Sequence, residues 1–167
     1  HQSYNPIFRS KNAVLIIRDP RDIVVSFYYY ALGSNEYNFS GSLSDMLRHP
    51  RMGARACISH YQSWVKHAQL ILTYEEIKAN PHREFSRLLE FYEIARSEEE
   101  ISMAIKASDF SSMKKAQANS KTLKKEFRDG HQFVRSGKSS QWRELFSSED
   151  ISFYSQLCVD CKFDLYD

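Results

Sequence analysis

Apolar positions along this chain fall into two patterns: short continuous runs, and longer stretches in which they recur every three to four residues. Ala13-Val14-Leu15-Ile16-Ile17 is continuous and rich in β-branched residues, which predicts a strand buried on both faces, as in a parallel sheet. Arg18-Asp19-Pro20 follows at once. Asp19 suits an N-cap and Pro20 the first helical position. The helix they open carries Ile23, Phe27, Tyr30 and Ala31 on one side and Val24, Val25 and Tyr28 on others, so it is predicted to be buried nearly all round. From about Leu43 to Ala68 the pattern is helical, broken near Pro50 and Gly53. Leu70-Ile71-Leu72-Thr73-Tyr74 reads as a second buried strand. Asn80-Pro81 repeats the cap-then-proline device, and Phe85, Leu88, Leu89 and Tyr92 then line one face of an amphipathic helix. Ser97 to Glu100 forms a capping box ahead of Ile101, Ala104 and Ile105, and Ser147 to Asp150 opens a last helix bearing Ile151, Tyr154, Leu157 and Cys158.

Strands that run straight into helix caps make this an α/β chain with a parallel sheet. Two strands are too few for a self-sufficient doubly wound sheet, so the 167 residues are expected to be one incomplete domain, with an N-terminal portion absent. The composition, 42% hydrophobic and 14% aromatic, supplies a core and excludes disorder as the dominant state. The longest apolar run, Phe27 to Leu32, is six residues, which argues against a membrane span. No charged-then-apolar leader precedes it. Three cysteines, Cys57, Cys158 and Cys161, point to reduced thiols in a cytoplasmic protein. Cys158 and Cys161 have C-x-x-C spacing but lie in an apolar helical pattern with no second ligand pair, so the reading is structural and no metal is expected.

The net charge of +2 argues against a general polyanion binder and hence against a nucleic-acid partner. It is nevertheless uneven: residues 111–138 carry +6 and the rest −4. The basic segment, with Gly130, Gly137 and several Ser and Asn, reads either as a solvated connection or as a lid over a small polyanion. The five glycines form neither a Walker A loop nor a G-x-G-x-x-G turn. What remains is Arg18 at the carboxyl end of a buried strand with Ser26 two turns into the next helix. A guanidinium beside a helix N-terminus is an anion site of the kind α/β folds use.

The string Ile17-Arg18-Asp19-Pro20-Arg21-Asp22-Ile23-Val24-Val25-Ser26-Phe27-Tyr28 closely resembles the R-[DN]-P-[KR]-D-x-x-x-S-x-[YF] signature of the cytosolic-type sulfotransferases. These enzymes use 3′-phosphoadenosine 5′-phosphosulfate (PAPS). Ser59-His60-Tyr61-Gln62-Ser63-Trp64 and Leu72-Thr73-Tyr74-Glu75-Glu76-Ile77-Lys78-Ala79-Asn80-Pro81-His82-Arg83-Glu84 are similar to the family's next two segments. Ser108-Asp109-Phe110-Ser111-Ser112-Met113-Lys114 resembles its T-S-F-x-x-M-K element, and Phe133-Val134-Arg135-Ser136-Gly137-Lys138-Ser139-Ser140-Gln141-Trp142-Arg143 its F-x-R-K-G-x-x-G-D-W-K loop. The resemblance, from about residue 1 to 146, implies a partial P-loop-like parallel sheet flanked by helices, helix-rich, without the N-terminal strand and phosphosulfate loop.

It further implies that Arg18, Ser26, Arg135, Ser136 and Gly137 hold the 3′-phosphate of PAPS. Tyr74, Ser108 and Phe110 would lie at the adenine. The loop departs from the family at Ser136, Ser140, Gln141 and Arg143. The family's dimer signature would fall at Arg143, Ser147, Ser148 and Ser152 and is not preserved, so no dimer is inferred. His1-Gln2-Ser3-Tyr4-Asn5-Pro6 resembles the H-x-x-Y-x-P form of the family's base segment. His1 then has two readings, the base that deprotonates a small-molecule acceptor or a frayed terminus. The expected function is sulfuryl transfer from PAPS to a hydroxyl or amine; the alternative is a non-catalytic remnant that binds adenosine 3′,5′-bisphosphate.

Overall fold

A computed structural model of the protein describes residues 4–5, 12–120, 126–128, 131 and 135–166. Strand β1 (Val14–Ile17) and strand β2 (Leu70–Thr73) pair in parallel, with Val14 opposite Leu70 and Ile17 opposite Thr73. Leu15, Ile17 and Leu72 are buried as expected, but Ile16 is 56% and Ile71 36% exposed. The expectation of strands buried on both faces therefore fails at these two positions. Among the described residues the sheet has two strands, each with one neighbour, and Ile16 and Ile71 keep part of their surface in water.

Between the strands run α1 (Pro20–Gly33), α2 (Leu43–Arg48) and α3 (Ala54–Trp64). Asp19 caps α1 by accepting the Arg21 amide, with Pro20 in the first turn. Val24, Val25 and Ala31 of α1 are completely buried against Met46 and Leu47 of α2 and Ala54 and Ile58 of α3. The break read at Pro50 and Gly53 is a tight turn. A Cβ at Gly53 would come within 2.4 to 2.6 Å of the carbonyl oxygens of Leu47, His49 and Met46, so that approach needs glycine.

After β2 come α4 (Tyr74–Ala79), α5 (Pro81–Phe91), α6 (Glu98–Ala107), α7 (Phe110–Asn119), α8 (Trp142–Leu145) and α9 (Ser148–Cys161). Two of these depart from the sequence reading. Tyr74 does not continue the strand: the Thr73 hydroxyl accepts the Glu76 amide, and Tyr74 begins a helix. Asn80 closes α4 and precedes Pro81 without giving α5 a side-chain cap. The predicted capping boxes at Ser97 and Ser147 both form. Glu84, 1% exposed, is held by Arg83 at 2.7 Å and Arg87 at 2.5 Å. A buried carboxylate needs such partners.

Helix α9 closes the core through Tyr154, Leu157 and Cys158, together with Trp142, Phe146 and Phe163. Its start is locked to α2, since Asp150 accepts from the Ser44 hydroxyl at 2.6 Å and Arg48 at 2.5 Å. Burial alone would raise the Asp150 carboxyl, yet these bonds and those from Ser147 hold it below the usual carboxylate range. Cys57 and Cys158 are buried and Cys161 half-buried, all as reduced thiols. Burial pushes the Cys57 thiol up to about 12, so it stays protonated. Among the described residues no cluster of His, Cys, Asp and Glu could hold a metal ion, and no helix is long and apolar enough to cross a membrane.

Candidate functional site

Arg18 follows β1 directly, and its backbone is gripped from α3. The Tyr61 hydroxyl accepts from the Arg18 amide at 2.8 Å and donates to the Arg18 carbonyl at 2.9 Å. Burial raises the Tyr61 phenol well above its ordinary value, so it remains the donor this pairing requires. Tyr61 lies within the Ser59 to Trp64 segment, but its role was not evident from sequence, since only the topology brings a helix side chain to the strand end. The Arg18 guanidinium then rests 4.3 Å over the Tyr74 ring and donates to the Lys138 carbonyl at 3.1 Å. Its buried Nε has no hydrogen-bond partner among the described residues. A buried charged donor in that condition favours an incoming anion.

The cavity in front of Arg18 has a volume of about 720 Å³. Seven residues singled out from the sequence line it: Arg18, Ser26, Tyr74, Phe110, Arg135, Ser136 and Gly137. They come from the end of β1, from α1, α4 and α7, and from the segment before α8. Ser108 does not join them. It ends α6, and its hydroxyl donates back to the Ala104 carbonyl at 2.8 Å. His1, Phe133 and Val134 lie outside the described residues. Three residues after His1, the Tyr4 ring stacks at 3.6 Å on His67 and its amide donates to the Ser63 hydroxyl, which sets this segment against the end of α3.

The segment bearing Arg135 is shaped by backbone geometry. Gly137 has φ +62°, and a Cβ there would stand 2.6 Å from the Phe110 ring. Glycine thus serves both the left-handed backbone and the close packing of Phe110. Ser140 also has φ +61°, where the family loop has glycine. Arg135 stacks 4.0 Å over Tyr29 and donates to Gln141 Oε1 at 2.6 Å, while Gln141 Nε2 donates to the Lys138 carbonyl at 2.9 Å. Gln141, at the position where the resembled loop has Asp, thus accepts from the Arg135 guanidinium.

Asp22 organises both sides. Only 1% exposed, it accepts from the Ser140 amide at 2.5 Å and the Trp142 amide at 3.3 Å, and stands 3.9 Å from Arg18. It belongs to the Arg18 to Tyr28 string, but its partners lie about 120 residues later and no local pattern points to them. Arg21, by contrast, is turned away from the cavity. It pairs with Asp19 at 2.8 Å and stacks over Trp142 and Tyr154. A second cavity, about 420 Å³ and lined by Arg21, Tyr154 and Cys158, contains none of the candidate residues.

The sulfotransferase domain family matches residues 3–162. Rat sulfotransferase 1A1 is 29% identical over 164 residues, covering 90% of this chain and 56% of its own length. Mouse sulfotransferase 1 family member D1 is 30% identical over 144 residues, covering 80% of this chain and 49% of its own. Among solved structures, retinol dehydratase in complex with androsterone and the inactive cofactor PAP superimposes with a TM-score of 0.79 at 24% identity, over 93% of this chain and 48% of that one. Mouse sulfotransferase SULT7A1 complexed with PAP gives 0.75 at 18% identity, over 92% and 59%. These likenesses fit the helix-rich α/β fold with its small parallel sheet. The chain spans about half the length of the curated relatives it matches. With the domain match running through nearly every element described above, the chain belongs to the sulfotransferase family.

Proposed function

We propose that this chain forms the nucleotide-binding part of an enzyme that transfers a sulfuryl group from PAPS to a hydroxyl or amine acceptor. The observation that carries the reading is the one cavity lined by Arg18, Ser26, Arg135 and Gly137, with a buried Arg18 Nε that has no hydrogen-bond partner among the described residues. Arg18 and Arg135 would hold the 3′-phosphate from two sides, and Ser26 would add a hydroxyl donor. Phe110 and Tyr74 offer ring faces for the adenine. At Ser136 and Gly137 the backbone can approach the phosphate closely, and residues 111–138 act as a lid over the bound nucleotide. Ser108, held to its own helix, would reach the base only after turning away from the Ala104 carbonyl.

PAPS supplies the sulfuryl group: the acceptor oxygen or nitrogen bonds to sulfur as the sulfur–oxygen bond to the 5′-phosphate breaks, leaving adenosine 3′,5′-bisphosphate. His1 takes the acceptor proton in this reading, which suits an imidazole near neutral pH.

Isothermal titration tests the nucleotide reading. Adenosine 3′,5′-bisphosphate is expected to bind about tenfold or more tighter than 5′-AMP, the difference set by charge-assisted bonds to the 3′-phosphate. Arg18→Ala abolishes that preference. Equal affinity for the two nucleotides, or an unchanged preference in Arg18→Ala, overturns the reading. Bisphosphate binding without sulfation of any hydroxyl or amine acceptor would instead identify a non-catalytic binding protein.

A further inference from the structure

Three guanidiniums line the large cavity, and among the described residues no carboxylate does. Two are engaged: Arg18 by Asp22, Tyr74 and the Lys138 carbonyl, Arg135 by Tyr29 and Gln141. The third, Arg51, has no ion pair, ring contact or side-chain hydrogen bond among the described residues.

Its backbone, in contrast, is held firmly. The amides of Arg51 and Met52 both donate to His49 Nδ1, each at 3.2 Å, and the Gly53 amide donates to the His49 carbonyl at 2.9 Å. Gly53 packs closely on the carbonyls of Met46, Leu47 and His49, where a Cβ would clash. Arg51 thus stands on a preorganised turn.

The cavity that Arg51 lines also presents apolar and aromatic side chains. Met52 is the next residue, and Tyr37 lies 5.2 Å from Phe27 and 5.7 Å from Tyr30, ring centre to ring centre. None of these carries a charge to pair with a phosphate, and their rings and aliphatic stems together suit a flat or aliphatic body. An apolar wall with one unengaged guanidinium is complementary to an amphipathic anion, whose body packs on the rings and whose charge meets the fork of the arginine.

Resting on the donor reading above, we propose that Arg51 makes this cavity selective for hydroxyl-bearing acceptors that also carry a carboxylate or a similar anionic group. The probes are 4-hydroxyphenylacetate and its methyl ester, titrated into the protein with and without saturating adenosine 3′,5′-bisphosphate. The acid is expected to bind about tenfold tighter than the ester, the scale of one charge-assisted contact. Arg51→Ala removes the difference by weakening the acid alone, and Arg51→Lys restores part of it. Bisphosphate affinity stays unchanged in both variants.

Equal binding of acid and ester, or a preference that survives Arg51→Ala, overturns the proposal. So does a parallel loss of bisphosphate affinity in Arg51→Ala, which would assign Arg51 to the donor. Failure of the wild-type protein to bind bisphosphate refutes the donor reading instead, and the titrations without nucleotide still decide the acid-over-ester preference.

Discussion

Two residues in the loop before α8 sit in the left-handed region, and they pose opposite problems. Gly137 uses the freedom that glycine provides, while Ser140, at φ +61°, carries a Cβ in a conformation that costs an L-residue about 1 kcal/mol. Ser140→Gly is therefore expected to stabilise the folded chain by up to about 1 kcal/mol, less the extra entropy glycine brings to the unfolded state. Its amide can still donate to Asp22. Gly137→Ala works the other way, because the new Cβ adds backbone strain and forces the Phe110 ring to shift. We expect a loss of about 1 kcal/mol or more in stability and weaker bisphosphate binding, since the displaced ring is the proposed adenine platform. Urea denaturation followed by tryptophan fluorescence measures the first effect in each variant and titration the second. Opposite signs at the two positions are the essential outcome; a loss of stability in both would show that Ser140 is accommodated without strain.

At the scale of elements, Asp22 joins the first turn of α1 to the start of α8 through the Ser140 and Trp142 amides. Replacing it with Asn removes the charge and leaves one amide facing a donor. The expected cost is about 1.5–3 kcal/mol, that of hydrogen bonds to a charged group in a buried setting. The segment carrying Arg135 then loses its anchor, so bisphosphate affinity should fall about tenfold while 5′-AMP affinity barely changes. A variant that loses stability and keeps the bisphosphate preference would show Asp22 to be structural only. This link also marks the limit of what the sequence discloses. Strands β1 and β2, the Asp19 cap and the Ser97 and Ser147 capping boxes are local, set by a run of apolar residues or by a hydroxyl three positions from an acid. Seven cavity residues were legible because their spacing matches a family signature. The Tyr61 grip on Arg18, the bonds from Asp22 to residues 140 and 142, and the placement of Arg51 all depend on distant segments meeting. Tyr74 was misplaced in the strand for a related reason. An apolar run does not reveal where a Thr hydroxyl turns to cap a helix, and at Asn80 a favourable cap residue was already occupied in ending α4.

For the molecule as a whole, the sheet and the charge distribution bear on how the chain behaves in solution. The net charge of +2 is a sum of a +6 segment over residues 111–138 and a −4 remainder, so little net repulsion keeps copies apart. Among the described residues each strand has one neighbour and so one open edge, and each carries an exposed large apolar side chain, Ile16 at 56% and Ile71 at 36% exposure. Unpaired strand edges beside exposed β-branched residues are templates for association, and natural sheets counter them with charge. The chain by itself is therefore expected to self-associate as its concentration rises, seen as an increasing weight-average sedimentation coefficient. Ile16→Lys with Ile71→Lys should hold it monomeric over the same range, with a modest loss of stability that comes chiefly from Ile71, most of whose surface is covered. Bisphosphate binding should also persist, since neither residue lines the cavity. Association that is equally strong in the double variant would place the contact elsewhere, with the exposed Val159 of α9, at 71%, the next surface to test. Wild-type chains that remain monomeric throughout would show that an open two-stranded edge of four residues per strand is too short to template pairing.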